Sequence, residues 1–195
     1  MMNSAQLEMK AYFESLPVYS EQFDEIIDQV VSKVGNSIKK KRGQVVDELS
    51  NSNKDFWFLK QGYLKEMYKN PFDKEDSLFS LIPPKSIFVN EDTLFNDQHP
   101  KHYFIAYGDV EFIRFRFSDY EAINRKTPLL NILYLSGTAE IQKNRRARLL
   151  MLRMRKTSDK IRWVKEYRPD LFHVMDKVTL AQYIGVSRAG LYRAL

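Results

Sequence analysis

The 195 residues include no cysteine, which excludes disulfides, thiolate metal sites, cysteine nucleophiles and cysteine-ligated iron-sulfur clusters. With 44% hydrophobic and 13% aromatic residues the chain has ample material for a buried core, and no apolar run approaches the roughly 18 residues that a membrane span requires. The net charge of +6 is unevenly spread: residues 143–195 hold 14 Lys and Arg against 4 Asp and Glu, a local +10 that leaves −4 on the preceding 142 residues. A basic tail on a mildly acidic front is the distribution a separate nucleic-acid-binding end requires. The N-terminus, Met1-Met2-Asn3-Ser4-Ala5-Gln6-Leu7-Glu8, lacks the apolar heart of a signal peptide, so a cytoplasmic location and no membrane contact are expected.

Residues 5–15 place Leu7, Met9, Tyr12 and Phe13 near helical spacing, with Leu16 following and Pro17 as the stop. A second helix is predicted from the cap Ser20 through Phe23, Ile26, Ile27, Val30, Val31 and Val34 to Gly35. From Ser37 the texture changes to short aromatic and β-branched runs between turn residues. Strands are predicted at 37–41, 44–49, 55–60, 63–68, 78–82, 86–89, 103–107 and 110–117, with Gln61-Gly62 and Gly108-Asp109 as hairpin turns. So many short strands with regular turns predict an antiparallel sandwich or roll.

Helix returns at Ser118-Asp119-Tyr120-Glu121, which spells a capping box, and at Thr127-Pro128, a cap followed by a proline suited to a first helical position. The latter opens the longest helical pattern. One face reads Leu130, Tyr134, Gly137, Ile141, Asn144, Arg148 and Met151; a neighbouring face offers Ile132, Leu135, Ala139 and Leu149. Two such stripes suit a helix that packs on its own body with one and on a partner helix with the other. Gly137, costly inside a helix, suggests a close backbone approach. The plainer alternative is an intrachain helix with one irregular face.

Thr157-Ser158 caps a further helix containing Ile161, Trp163, Val164 and Tyr167, which Pro169 ends, so a boundary is expected near Lys156. After a link at 171–175, residues 176–195 predict two short helices broken at Gly185. Leu180, Ile184, Val186, Leu191 and Ala194 would face one small core, and Ala181 lets the helices cross closely. Gly185 supplies the positive φ of the turn, while Asp176 and Ser187 are the expected N-caps. Arg188, Tyr192 and Arg193 fall on the side away from Leu191. That is the layout of a helix-turn-helix whose second helix reads a DNA groove.

The order of these pieces resembles bacterial transcription regulators of the cyclic-AMP receptor and fumarate-nitrate regulator (Crp/Fnr) family. The resemblance rests on Lys41-Arg42-Gly43-Gln44-Val45-Val46, on the strand-glycine-strand run Phe56-Trp57-Phe58-Leu59-Lys60-Gln61-Gly62-Tyr63-Leu64, on Glu166-Tyr167-Arg168-Pro169-Asp170-Leu171, and on Leu180-Ala181-Gln182-Tyr183-Ile184-Gly185-Val186-Ser187. It implies an α+β chain in three parts: an antiparallel β-roll (jelly-roll) of cyclic-nucleotide-binding type with flanking helices over 1–126, a long dimerisation helix over 127–156, and a winged-helix-like helix-turn-helix domain over 157–195. It implies a homodimer with Leu130, Tyr134, Gly137 and Ile141 at the interface, and double-stranded DNA and RNA polymerase as partners. Arg188 and Arg193 take the positions that reach base edges, where a guanidinium fork donates two bonds to guanine. Ser187 and Lys177 take phosphate-contacting positions, and Ala189 and Tyr192 complete the DNA-facing set.

Three departures qualify what the resemblance implies. Ala189 stands where the best-known members carry a base-reading Glu, so the half-site preference differs. The sequence stops at Leu195, so no wing is expected after the second motif helix. Residues 83–102 show neither the Gly-Glu nor the Arg-Ala element of nucleotide-binding members, so cyclic AMP is not expected and no other effector is assigned. His99-Pro100-Lys101-His102 with Asp97 is read as polar surface and not as a metal site. Asp109 and Glu111 lack the positioned partner that acid-base catalysis needs, so no enzyme is expected. The function expected is sequence-specific regulation of transcription by a homodimer on an inverted repeat. The alternative is a ligand-sensing or protein-interaction module whose helical end no longer reads DNA.

Overall fold

A computed structural model describes residues 2–46, 49, 54–69, 76–90 and 102–195. Helix α1 (Ser4–Glu14) opens on a capping box: the Asn3 side chain accepts from the Gln6 amide while the Gln6 side chain accepts from the Asn3 amide. A 3-10 turn (Glu21–Phe23) leads into α2 (Asp24–Ser32). Both helices lay Ala5, Met9, Phe13, Ile26, Ile27, Val30 and Val31 against the sheet.

Among the described residues the sheet has five strands: β1 (Ile38–Lys40), β2 (Phe56–Tyr68), β3 (Ser77–Ile82), β4 (Ser86–Val89) and β5 (His102–Phe115). All pairings are antiparallel. β2 and β5 pair along most of their lengths, β1 flanks β5, and the far edge of β2 takes β3 on its later half and β4 on its earlier half. The predicted hairpins at Gln61-Gly62 and Gly108-Asp109 are corrected here: each pair of expected strands is one long strand. Gly62 (φ 77°) and Gly108 (φ 89°) lie where the β2–β5 register slips between Leu59 and Tyr63, so they serve irregularities within the ladder instead of chain reversals. The strand expected at 44–49 is reduced to a single bridge from Val45 to Ile105, and residues 47 and 48 lie outside the described set. Phe117 begins a helix instead of ending a strand.

The pleat sorts β2 into two cores. Phe56 and Phe58 join the N-terminal helices, whereas Trp57 and Leu59 point to the other face, with Phe88, Phe104 and Phe112. A third cluster unites Met67, Leu78, Leu81 and Tyr107 of the sheet with the helices after residue 156.

Helix α3 (Phe117–Asn124) leads into the 24-residue helix α4 (Leu129–Leu152), which contributes to every core: Leu130 and Leu133 to the first, Ile141 to the second, Met151 to the third. The stripe expected at a dimer interface is therefore the one this chain uses itself. Leu130, Gly137 and Ile141 are buried, and Tyr134 sits edge-on to Phe56 with ring centroids 5.0 Å apart. Gly137 makes room for Tyr12, whose hydroxyl donates to the Gly137 carbonyl at 3.0 Å, and for Ile87. The other stripe is the free one, with Leu135 and Leu149 64% and 63% exposed. Both stripes repeat at steps of three and four, so spacing alone could not choose between them.

Four helices follow: α5 (Thr157–Tyr167), α6 (Pro169–Val174), α7 (Lys177–Ile184) and α8 (Arg188–Ala194). Pro169, expected only as a stop, also occupies the first position of α6, where its missing N–H costs nothing. No described helix is long and apolar enough to cross a membrane.

Candidate nucleic-acid interface

The pair α7–α8 is defined at each of its joints by the residue types expected there. The Asp176 carboxylate accepts from the Thr179 amide at 2.7 Å, and the Ser187 hydroxyl accepts from the Gly190 amide at 3.0 Å. Gly185 turns the chain at φ 65° and ψ 50°, and the Val186 amide donates back to the Ala181 carbonyl at 3.0 Å. Leu180, Ala181, Ile184 and Leu191 are buried, while Val186 and Ala194 are partly buried against them. Lys177, Ser187, Arg188, Ala189, Tyr192 and Arg193 are all exposed. The Lys177 ammonium lies 4.9 Å from the Tyr192 ring centroid, and Arg193 Nε donates to the Ala189 carbonyl at 3.3 Å. Among the described residues no carboxylate is within ion-pair distance of Lys177, Arg188 or Arg193.

Beneath this surface lies a set of cations that the sequence reading did not single out. Arg148 on α4 donates to four carbonyls, those of Tyr183 (2.9 Å), Gln182 (3.3 Å), Phe79 (2.8 Å) and Leu78 (3.1 Å), and its guanidinium lies 5.0 Å from the Tyr183 ring centroid. The buried Lys160 donates to the Ile184 carbonyl at 3.0 Å. The last turn of α7, whose carbonyls lack helical partners, thus points at two positive charges. Its first turn is tied to the sheet: Lys65 donates to the Thr179 hydroxyl at 2.6 Å, and the Tyr107 hydroxyl accepts from the Asp176 amide at 2.7 Å and donates to the Val174 carbonyl at 3.3 Å. The one signal for Arg148 in the sequence was its place in the buried stripe between Ile141 and Met151, a cation where an apolar residue belongs.

Burial pushes the Asp176 carboxyl up, but the Thr179 amide and hydroxyl, the Tyr107 hydroxyl and Lys65 together bring it below its ordinary 3.8. A carboxylate lowered by folding contributes stability that is complete above its ordinary value and lost as pH falls through the lower, folded one. Asp176→Ala is expected to cost about 1 kcal/mol at neutral pH, the usual worth of an N-cap. Below pH 3.8 the gap between variant and wild type should close, as read by urea unfolding at several pH values.

The described residues contain no group of carboxylates and imidazoles that could hold a metal ion, and Asp97, His99, Pro100 and Lys101 lie outside them. Asp109 is engaged by Lys41 at 2.7 Å in an exposed ion pair, and Glu111 by Lys60 at 2.9 Å in a mostly buried one that Glu8 shares.

The sequence matches no protein-family model and no characterised protein. Solved structures do share the fold. The catabolite activator protein of Thermus thermophilus is 15% identical, with a TM-score of 0.52 over 94% of this chain and 84% of its own. The c-di-GMP-responsive global regulator CLP of Xanthomonas campestris is 12% identical, with a TM-score of 0.65 over 88% and 89%. A cyclic nucleotide-binding domain containing protein of Listeria monocytogenes EGD-e is 14% identical, with a TM-score of 0.65 over 97% and 88%. The α+β architecture, with its antiparallel sheet and flanking helices, is that of cyclic-nucleotide-binding-type proteins.

Proposed function

We propose that this chain, built on the cyclic-nucleotide-binding-type fold, is a homodimeric DNA-binding transcription regulator of Crp/Fnr type that reads an inverted repeat with α8. The observation that carries this reading is the α7–α8 surface. Lys177 at the start of α7 and Arg188 and Arg193 on α8 stand exposed with no carboxylate within ion-pair distance among the described residues, above a scaffold that fixes α7 at both ends. Exposed guanidinium groups at the start (Arg188) and in the last turn (Arg193) of a short helix suit the O6 and N7 acceptors of guanine, and Lys177 and Ser187 suit phosphate oxygens. Two of the structures that share the fold are described as an activator protein and a global regulator, which agrees with this reading.

The second copy is assigned to the exposed stripe of α4. Ile132, Leu135, Ala139, Gln142, Arg146 and Leu149 recur at alternating steps of three and four and are all exposed, which is the spacing of a two-helix seam. A twofold pairing there would present two α8 helices to successive major grooves, about 34 Å apart. Leu135→Asp with Leu149→Asp is expected to convert a dimer to a monomer with the fold retained, as read by sedimentation and circular dichroism. Unchanged dimerisation would remove α4 from the interface.

Binding and sequencing of a randomised duplex pool tests the reading itself. Wild type should recover an inverted repeat. Arg188→Ala or Arg193→Ala should lose about 1 to 3 kcal/mol of preference at one position of each half-site, whereas Lys177→Ala should weaken all duplexes alike. Recovery of the same sequences by wild type and Arg188→Ala would refute the assignment of Arg188.

A further inference from the structure

One turn of the sheet holds a lysine in a backbone conformation that favours glycine. Lys85, between β3 and β4 in Pro83-Pro84-Lys85-Ser86, has φ 57°, and among the described residues it is the one non-glycine residue in the left-handed region. Its amide donates to the Leu59 carbonyl at 2.6 Å, which ties the turn to β2; glycine would take this conformation freely, so the turn's backbone has no need of the lysine side chain.

The turn forms one wall of a groove of about 460 Å³ whose other walls come from α4 and α5. Pro83 and Pro84 stand on one side and Trp163 and Tyr167 on another. The two aromatic rings lie 5.4 Å apart and tilted by 31°; Trp163 packs partly against the third core, whereas Tyr167 is 65% exposed. Three cations reach the groove. Arg168 is committed to Asp170 through bonds of 3.0 and 2.8 Å, and Lys143 touches Glu140 at 3.5 Å with both side chains mostly in solvent. Lys85 has no carboxylate within ion-pair distance among the described residues. The groove therefore offers flat apolar walls together with an uncommitted positive charge at the rim.

We propose that this groove binds a small planar aromatic ring bearing one anionic group, with the ring against Trp163 and the prolines and the anion on Lys85 and Lys143. Lysine suits a carboxylate or phosphate as a point charge, and the aromatic and proline surfaces supply the apolar contact. Because the groove is formed jointly by the sheet turn, α4 and α5, its occupant touches both the sheet and the helical end that includes α7 and α8. That is the placement of an effector.

The test is calorimetric titration of the full chain with three probes of one shape: 2-naphthoate, 2-naphthyl phosphate and 2-naphthalenemethanol. Wild type is expected to bind at least one of the anions about tenfold more tightly than the neutral alcohol, and the better anion identifies the head group. Lys85→Gly should abolish that preference while raising the melting temperature, because it relieves the left-handed strain, a combination that a purely structural lysine would not give. Lys85→Asn, which tolerates the same backbone conformation, should lose the preference as well. Trp163→Leu should weaken all three probes. Equal binding of anions and alcohol by wild type, or an anion preference that survives in folded Lys85→Gly and Lys85→Asn, would overturn the proposal.

Discussion

Arg148→Ala is expected to destabilise the protein by about 3 kcal/mol. The guanidinium bonds four backbone carbonyls, two at the end of α7 and two on β3. Its removal leaves the part-buried Tyr183 and Leu78 carbonyls without this donor, at about 1 kcal/mol or more each, and loses the bonds to the more exposed Phe79 and Gln182 carbonyls. It also removes a cation from the negative end of the α7 dipole. Arg148→Lys should restore part of the loss, since one ammonium cannot span all four carbonyls. The exposed Arg153, just past the end of α4 and outside the proposed seam, serves as the control, with Arg153→Ala expected within about 0.5 kcal/mol of wild type. Urea unfolding at constant m value measures all three. A loss below about 1 kcal/mol for Arg148→Ala would mean that α7 is held by its apolar contacts alone.

The second large effect is at Gly62, where alanine is expected to cost on the order of 4 kcal/mol. At φ 77° a side chain is already strained, and a Cβ there would meet the Asp109 carbonyl oxygen at 2.4 Å and Val110 Cγ1 at 2.8 Å. The first of these is backbone in the paired strand, so relief requires β2 and β5 to separate at the irregularity. Gly108→Ala provides the contrast. Its φ is 89° but nothing lies within 4 Å of the added carbon, so conformational strain of about 1 kcal/mol is all it should cost. Thermal unfolding of the two variants side by side should show Gly62→Ala shifted several times further; equal shifts would mean that the strands adjust without resistance.

These two sites also mark where the sequence was and was not legible. Gly62 and Gly108 carry the same local signal whether the chain reverses or a long strand deviates, because both need a positive φ. The distinction depends on the pairing of β2 with β5, from Tyr68 with His102 to Phe56 with Phe115, which no short window contains. The long helix presents the same difficulty in another form. Its two stripes share one spacing, and only the positions of Tyr12, Phe56 and Ile87 decide that Leu130, Gly137 and Ile141 face inward. The end of the chain was legible because its determinants are local. Asp176, Gly185 and Ser187 act on residues three to five positions away, and the buried set Leu180, Ile184 and Leu191 follows from helical periodicity. The tethers beneath it, Arg148, Lys160, Lys65 and Tyr107, come from distant parts of the chain, and apart from the place of Arg148 in the buried stripe of α4 nothing in their immediate sequence announces them.

The central claim, that α7–α8 presents a DNA-reading surface, is tested most directly by gel retardation of genomic fragments with the purified chain at about 50 and 200 mM salt. The claim predicts that a small subset of fragments is retained at both salt concentrations, with affinity falling steeply between them and lost for that subset in Arg188→Ala with Arg193→Ala. Retention that is absent at low salt, or that is equal for all fragments and indifferent to the two arginines, would contradict it.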